Sequence, residues 1–199
     1  MITYTWFRDA LKEDTSKLFR TVGEMKILEK GKASGNSPTR NSNVAFFNNV
    51  ETRVVQDIVI PYIEECNIKN NWNYTIDFLE DAQYTTYGSD NYYDWHKDWC
   101  CRICSRDKDG NETSLKGARK ISCSILLSDS NEYEGGDFEI MSGDISRLEN
   151  GVLLKCEKAN IKNKGDMVIF KSDTFHRVTP VTKGVRKSLV LWFSGPEFT

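Results

Sequence analysis

Two histidines, one aspartate and one arginine carry most of the chemical information in this sequence. His96 and Asp98 are separated by one residue, so in an extended segment their side chains point to the same face. His176 lies far downstream, and Arg186 follows it by ten residues. Two imidazoles and one carboxylate on one side of an ion form the donor set with which non-haem proteins hold Fe(II), leaving coordination positions open. Both histidines of the chain fall in this pattern, which favours a metal site over an incidental His-x-Asp.

Arg186 is the candidate partner for an anionic group. It begins a predicted strand, 186–193, in which alternate residues share a face, so Arg186, Ser188, Val190 and Trp192 point the same way. A 2-oxo acid can occupy two open positions of such an iron and dioxygen the third. We expect Arg186 to hold the distal carboxylate of this acid through two parallel hydrogen bonds, with Ser188 or Trp192 forming the adjacent wall.

Composition places the chain among ordinary soluble domains. Its 199 residues suit about one domain. The formal net charge of −2 argues against broad attraction to nucleic acid or to an anionic membrane. There is no apolar run of about 18 residues and no visible secretory signal, so we expect no membrane association. Six cysteines are too sparse for a disulfide scaffold, which favours a reducing compartment and a cytoplasmic protein.

Helical spacing is confined to the first third of the chain. Residues 11–29 are loosely helical, 31–43 form a predicted loop, and 50–68 form a better helix that Pro61 kinks or ends. From residue 72 the sequence predicts short strands, at 73–79, 82–87, 92–96, 120–127, 136–141, 153–155, 166–170, 175–178 and 186–193. This order predicts one α+β domain over 1–199. Helices from 1–70 would pack on one sheet of a double-stranded β-helix (jelly-roll) core at 72–195.

Several ordered motifs resemble the prolyl 4-hydroxylase branch of the 2-oxoglutarate/Fe(II)-dependent dioxygenases. These motifs are QYTTYG at 83–88, YYDWHKD at 92–98, ISCSILLSD at 121–129 and YEGGDFEI at 133–140. Two others, GDMVIF at 165–170 and HRVTPVTKGVR at 176–186, resemble the PKHD-type hydroxylases of that branch. RNSNVAF at 40–46 is similar to an upstream segment of bacterial and phage members. The resemblance therefore spans residues 40–193.

Carried over position by position, the resemblance implies that His96, Asp98 and His176 bind Fe(II). It implies 2-oxoglutarate and dioxygen as co-substrates and ascorbate as a reductant. The implied reaction hydroxylates a prolyl residue in a peptide or protein and decarboxylates 2-oxoglutarate to succinate and carbon dioxide. Asp98 favours hydroxylation over halogenation, because related halogenases have a small residue in place of this carboxylate.

The resemblance also implies a binding site for the co-substrate. Arg186 would pair with the C5 carboxylate of 2-oxoglutarate, Tyr87 would donate a hydrogen bond to the co-substrate, and Trp192 would lie near the same pocket. Trp192 is also compatible with a core position, and Tyr87 with a sheet-face aromatic. The family often has a second tyrosine on the strand that aligns with 124–127, whereas this chain has the apolar residues Ile125, Leu126 and Leu127 there.

Other functions and other features stay open. The substrate could be another amino acid or a small metabolite, or the chain could be a non-catalytic module that senses iron or 2-oxoglutarate. The acidic balance weighs against nucleic-acid demethylation. Segments 31–43 and 102–120 are candidate lids or solvated loops. Cys100, Cys101 and Cys104 form a free-thiol loop more readily than a zinc site. Gly135-Gly136 is typical of a turn, not of a phosphate cradle.

Overall fold

Antiparallel strands make up most of the molecule. The structure is a computed structural model that describes residues 2–11, 29–30, 39–47, 49–106, 112–142 and 155–198. Within these ranges the elements, in chain order, are β1 (Tyr4–Phe7), β2 (Glu29–Lys30), β3 (Arg40–Asn41), β4 (Asn43–Phe46), α1 (Asn49–Lys69), β5 (Phe78–Leu79), β6 (Gln83–Tyr87), β7 (Tyr92–His96), β8 (Arg102–Arg106), β9 (Glu112–Lys116), β10 (Ala118–Leu126), β11 (Tyr133–Gly135), β12 (Phe138–Ser142), β13 (Lys155–Lys158), β14 (Met167–Lys171), β15 (His176–Val178), β16 (Val181–Gly184) and β17 (Arg186–Gly195).

Two larger sheets organise these strands. The eight-stranded sheet has the order β1-β14-β10-β17-β6-β4-β2, and β5 also pairs with β17. The five-stranded sheet has the order β13-β12-β15-β7-β3. Two small ribbons, β11-β16 and β8-β9, complete the pairing among the described residues. Apart from the consecutive strands β12 and β13, neighbours in the two large sheets are not consecutive in the chain, which is the crossed-over connectivity of a jelly roll.

The helix α1 covers one face of the eight-stranded sheet. Its buried side chains, Val55, Val59, Ile63 and Cys66, recur every three or four residues and therefore form one apolar stripe. They share a core cluster with alternate residues of the sheet strands, including Ile121, Cys123, Ile125, Ile169, Leu189 and Leu191. The helix continues through Pro61. No helix in the described ranges is long and apolar enough to cross a membrane.

The jelly-roll core is confirmed, whereas several predicted details are wrong or lie outside the described residues. The helix at 50–68 and most of the core strands appear within a few residues of their predicted bounds. The first predicted helix, at 11–29, and the loop at 31–43 lie mostly outside the described ranges, so helix packing is shown for α1 alone. The predicted strand at 73–79 shrinks to β5. The segment 102–120 is not an irregular loop, because β8 and β9 pair within it and β10 begins at its end.

Candidate functional site

His96, Asp98 and His176 converge where two neighbouring strands of the five-stranded sheet meet. His96 is the last residue of β7 and His176 the first of β15, and the antiparallel register places them directly opposite each other. Asp98 follows β7 after one residue, so its carboxylate returns to the same side. His96 Nε2 lies 3.8 Å from Asp98 Oδ1, and His176 Nε2 lies 3.7 Å from Asp98 Oδ2. One potential ligand atom from each residue lies within 4.8 Å of the others.

These separations fit a single metal ion. Donor atoms held about 2.1 Å from a divalent transition metal are about 3 Å apart at right angles and about 4 Å apart at most. The observed separations of 3.7 and 3.8 Å fall inside that range. Asp98 Oδ2 is buried and has no hydrogen-bond partner. A buried carboxylate oxygen without a partner is costly, so an ion at this position would satisfy it.

The hydrogen bonds of the two imidazoles fix which nitrogen faces the ion. His96 Nδ1 donates to the backbone carbonyl of Asp94 over 2.7 Å, and His176 Nδ1 donates to that of Thr174 over 3.0 Å. A carbonyl can only accept, so each Nδ1 carries the proton of the neutral ring. Each Nε2 then presents its lone pair towards Asp98, which is the arrangement that metal-binding histidines use.

Charge at the site is concentrated on Asp98. Burial, reinforced by the neighbouring His176, lowers the pKa of His96 to about 3, so its imidazole is neutral near pH 7. Burial alone would raise the pKa of Asp98, but His176, His96 and the Arg119 guanidinium outweigh it and hold that pKa below its usual value. The trio therefore offers the neutral imidazole of His96, the imidazole of His176 and one carboxylate to a divalent cation.

Aromatic packing holds both imidazole planes in place. The phenol ring of Tyr93 stacks on His96 with ring centroids 3.4 Å apart and an interplanar angle of 11°. The guanidinium carbon of Arg40 lies 4.6 Å from the ring centre of Tyr93. On the second histidine, Phe138 stacks at 5.5 Å and Phe170 packs at 4.5 Å between centroids. The ligand rings therefore have little freedom to turn away from the carboxylate.

Arg186 is the most unusual charge in the described structure. Its side chain is among the fully buried ones, and its Nε and Nη1 atoms have no hydrogen-bond partner. Among the described residues no carboxylate forms an ion pair with it. Its guanidinium carbon lies 5.6 Å from the ring centre of Tyr87, the residue opposite it across β6 and β17. Because arginine cannot lose its proton, a buried guanidinium with free N–H groups is a binding site for an anion.

The strand that carries Arg186 leads along the wall of a cavity. Ser188, Val190 and Trp192 follow it at alternate positions of β17, and all three line a cavity of about 370 Å³ that the metal trio also lines. This volume is in the range of small-molecule sites. Trp192 Nε1 is buried without a partner, like the two nitrogens of Arg186. Three of the four residues of the predicted face thus line the cavity, and Arg186, the first of that face, is not among its lining residues. Tyr87, opposite Arg186, lines the same cavity from β6.

Arg119 and Glu80 are cavity residues that the sequence patterns did not reveal. Arg119 donates from Nε and Nη2 to the two carboxylate oxygens of buried Glu80, over 2.9 and 2.7 Å. Its guanidinium carbon lies 3.9 Å from the ring centre of Trp192, and its Nη1 donates to the carbonyl of Asp98. Ser194 adds a third hydrogen bond to Glu80. The Arg119–Glu80 ion pair therefore connects Asp98 of the metal trio to Trp192 of β17.

An irregular register in β10 brings Arg119 to the cavity. Pairing with β17 skips one residue between Arg119 and Ile121, so Lys120 is the extra residue of a bulge. A bulge reverses the faces of the residues that precede it relative to those that follow. Arg119 therefore lines the cavity together with Ser124, whereas the amino group of Lys120 lies 3.3 Å from the ring centre of Phe198. The prediction that segment 102–120 is a lid or a solvated loop is therefore wrong for Arg119, which is a strand residue of the cavity wall.

The cysteine segment lies at one side of this cavity. Cys100 lines the cavity, and Cys100 and Cys101 are free thiols. The side chain of Cys104 is outside the described set. Among the described residues, His96, Asp98 and His176 form the group able to hold a metal ion, so the described cysteines give no support to a zinc site.

Comparison with known proteins decides the family. The sequence profile of the 2OG-Fe(II) oxygenase superfamily matches residues 82–194, which include the metal trio, Arg186, Tyr87 and Trp192. The chain belongs to this superfamily. It is 38% identical over 82 residues to a PKHD-type hydroxylase of Colwellia psychrerythraea. That alignment covers 41% of this chain and 31% of the relative, so the chain spans about a third of the relative's length.

Solved structures of this superfamily share the fold. A prolyl hydroxylase of Trichoplax adhaerens, in complex with a hypoxia inducible factor peptide fragment, superposes with a TM-score of 0.66 at 17% identity. The match covers 96% of this chain and 83% of the other. A viral collagen prolyl hydroxylase of Paramecium Bursaria Chlorella virus-1, in its 2OG complex, gives a TM-score of 0.60 at 20% identity, covering 98% and 97%. At these identities the likeness shows the fold.

Proposed function

We propose that the protein is a 2-oxoglutarate- and Fe(II)-dependent dioxygenase that hydroxylates a prolyl residue in a peptide or protein. His96, Asp98 and His176 would hold the iron, and Arg186 would hold the C5 carboxylate of 2-oxoglutarate. Tyr87 and Trp192 would contact the co-substrate. Membership of the superfamily supports the cofactor set, and the resemblance to PKHD-type hydroxylases and prolyl hydroxylases supports the prolyl substrate.

The observation that carries this proposal is the buried, unpaired guanidinium of Arg186. A fold that buries a permanent positive charge without a carboxylate partner is incomplete until an anion binds. The residues that follow Arg186 on the same face of β17 line the cavity that the metal trio also lines, so one elongated dicarboxylate could contact both. A 2-oxo acid with a distal carboxylate has this shape, because its keto acid end chelates a metal and its other end is anionic.

The metal ligands and the apolar residues of the site would have different roles in the reaction. Bound Fe(II), with 2-oxoglutarate as reductant, would convert dioxygen to one substrate hydroxyl and one oxygen of succinate while carbon dioxide is released. Anionic Asp98 would offset one of the two positive charges of Fe(II), and the imidazoles of His96 and His176 would complete the ligand set, which leaves a net positive charge for a second anion. Phe138 and Phe170 exclude water from the inner cavity, which strengthens the electrostatic interactions inside it.

The mouth of the cavity suits a chain with apolar residues. Trp99 and Phe46 both line the cavity, yet 53% and 37% of their surfaces are exposed. Large exposed aromatic faces at a cavity rim are typical of a surface that binds an apolar group. A prolyl ring would fit between such faces, while the peptide on either side of it stays outside the cavity.

A two-part measurement tests the proposed function. First, anaerobic titration with Fe(II) and 2-oxoglutarate is expected to give a visible charge-transfer band that the His176→Ala variant lacks. Second, aerobic incubation with proline-containing peptides is expected to yield succinate together with peptides heavier by one oxygen atom. The band without turnover on any peptide, amino acid or small metabolite would support the iron- and 2-oxoglutarate-sensing module instead. A folded protein that gives no band would refute the assignment of the metal and the co-substrate together.

A further inference from the structure

The turn at the end of β11, which contains Gly136, packs against the methylene stem of Arg186. Strand β11 pairs with β16, and β16 leads through one residue into Arg186. Gly136 closes this turn with φ +60°, a conformation that glycine adopts without strain. A Cβ at Gly136 would lie 2.9 Å from Arg186 Cδ and 2.9 Å from Val181 Cγ2. The glycine therefore allows the backbone to press against the methylene stem of the arginine.

Tyr133 contacts the other end of the same side chain. Its ring lies beside the stem of Arg186, because a Cβ on Gly136 would lie 3.4 Å from Tyr133 Cε2 and 2.9 Å from Arg186 Cδ, and its phenol is placed to accept a hydrogen bond from the guanidinium. The ring also packs on the cluster that includes Val181, Phe138 and Tyr87. Burial, more than any neighbouring charge, raises the pKa of Tyr133, so the phenol is protonated near neutral pH. Because a guanidinium can only donate, the phenol oxygen is the acceptor of this bond.

Positions 125–127, on the strand where the family often places a second tyrosine, carry no polar side chain in this sequence. Ile125 and Leu126 are fully buried and Leu127 nearly so. Ile125 and Leu127 belong to the core cluster of α1, on the far side of the sheet from the metal trio. These three residues therefore offer no hydroxyl to the carboxylate end of the site, whereas the phenol of Tyr133 lies beside Arg186.

We propose that Tyr133 is a positioning residue for co-substrate binding, acting through Arg186. Accepting one N–H group fixes the plane of the guanidinium. The unpaired Nη1 then keeps its N–H groups available for the distal carboxylate. Gly136 fixes the stem and Tyr133 fixes the head, so the motif Tyr133-Glu134-Gly135-Gly136 serves the carboxylate site. This role rests on the proposed function, because it requires 2-oxoglutarate at Arg186.

The experiment compares two 2-oxo acids on three proteins. Anaerobic Fe(II) titrations measure the Kd of 2-oxoglutarate and of 2-oxobutyrate, which lacks the distal carboxylate, for the wild type, Tyr133→Phe and Tyr84→Phe. Tyr84 is the matched control, since its phenol is buried in the helix-side core. We expect Tyr133→Phe to raise the Kd of 2-oxoglutarate about tenfold, as for one hydrogen bond to a charged group, and to leave that of 2-oxobutyrate unchanged.

Any other result of these titrations would contradict either the role of Tyr133 or the proposed function. An unchanged Kd for 2-oxoglutarate in folded Tyr133→Phe overturns the positioning role while the proposed function stands. Equal weakening of both acids also overturns it, because a general loosening of the site would not distinguish them. If the wild type binds neither acid, the proposed function fails first. Should Tyr133→Phe unfold, Gly136→Ala gives a second route, since its methyl group would displace the Arg186 stem and is expected to weaken 2-oxoglutarate selectively.

Discussion

Replacing Arg186 with methionine should make the ligand-free protein more stable and the ligand-bound protein less stable. Methionine preserves much of the buried volume and removes the charge. In the ligand-free protein the guanidinium leaves Nε and Nη1 unsatisfied. Each unsatisfied buried donor costs about 1–3 kcal/mol. The hydrogen bond to Tyr133 and the contact with the Tyr87 ring return about 1–2 kcal/mol. The variant should therefore gain about 2–3 kcal/mol in the free energy of unfolding.

Bound 2-oxoglutarate, in sufficient excess over its Kd, should make the wild type more stable than Arg186→Met. Two charge-assisted hydrogen bonds to a carboxylate contribute about 3–6 kcal/mol, so Arg186→Met should raise the Kd of 2-oxoglutarate by about 10² to 10⁴. Ligand at 100 times its Kd stabilises the wild type by about 2.7 kcal/mol and should not stabilise the variant. Urea unfolding under anaerobic Fe(II), with and without 2-oxoglutarate, measures both effects.

The control is Arg53→Met, which removes an exposed arginine from α1. It should change neither the urea midpoint nor the response to 2-oxoglutarate by more than about 0.5 kcal/mol. Loss of several kcal/mol from ligand-free Arg186→Met would mean that the guanidinium already has an anionic partner. Unchanged affinity for 2-oxoglutarate would place the carboxylate elsewhere. Either result would refute the role assigned to Arg186.

Three further predictions concern the metal trio and the wall beside it. His176→Ala removes one of the two nitrogen ligands and should lower turnover at least about 10³-fold in a steady-state succinate assay; near-normal turnover would contradict the trio. Glu80→Gln leaves Arg119 without its carboxylate and should cost about 2–4 kcal/mol by urea unfolding, whereas an unchanged midpoint would mean that Arg119 finds another partner. Since the folded pKa of His96 is about 3, below the unfolded value of about 6.5, its contribution is complete above pH 6.5 and is lost as pH falls towards 3. Metal-free protein should lose about 1 kcal/mol per pH unit in that window, and His96→Gln should flatten the slope measured by urea titrations at successive pH values.

The metal trio was accessible from sequence because its geometry is local to strand ends. His96 and Asp98 differ by one alternation, and the strand around His176 follows from its flanking apolar residues. Alternation along β17 likewise predicted the shared face of Arg186 and Trp192. These inferences need only the period of a strand and the residue types, both of which the sequence displays directly.

The Arg119–Glu80 pair was inaccessible for an equally physical reason. The two residues are 39 positions apart, and nothing local indicates that β10 lies beside the segment carrying Glu80. The bulge at Lys120 then decides which of two adjacent basic residues enters the cavity. Regular alternation along the strand would have assigned Lys120 to that face instead. A one-residue irregularity exchanges the two faces, and the sequence has no turn or glycine there to indicate it.

Unsatisfied polar atoms connect stability to function in this fold. Among the described residues, Asp98 Oδ2, Arg186 Nε, Arg186 Nη1, Trp192 Nε1 and Thr3 Oγ1 lack partners. Asp98 and Trp192 line the cavity, and Arg186 lies opposite the cavity residue Tyr87. Elsewhere even a buried charge such as Glu80 has three hydrogen bonds. The metal would satisfy the first of these atoms, and the co-substrate would supply an anion to the guanidinium of Arg186. Part of the binding free energy is therefore the release of strain already present in the ligand-free site. Variants that fill the site with apolar groups should stabilise the protein in proportion to the affinity they remove.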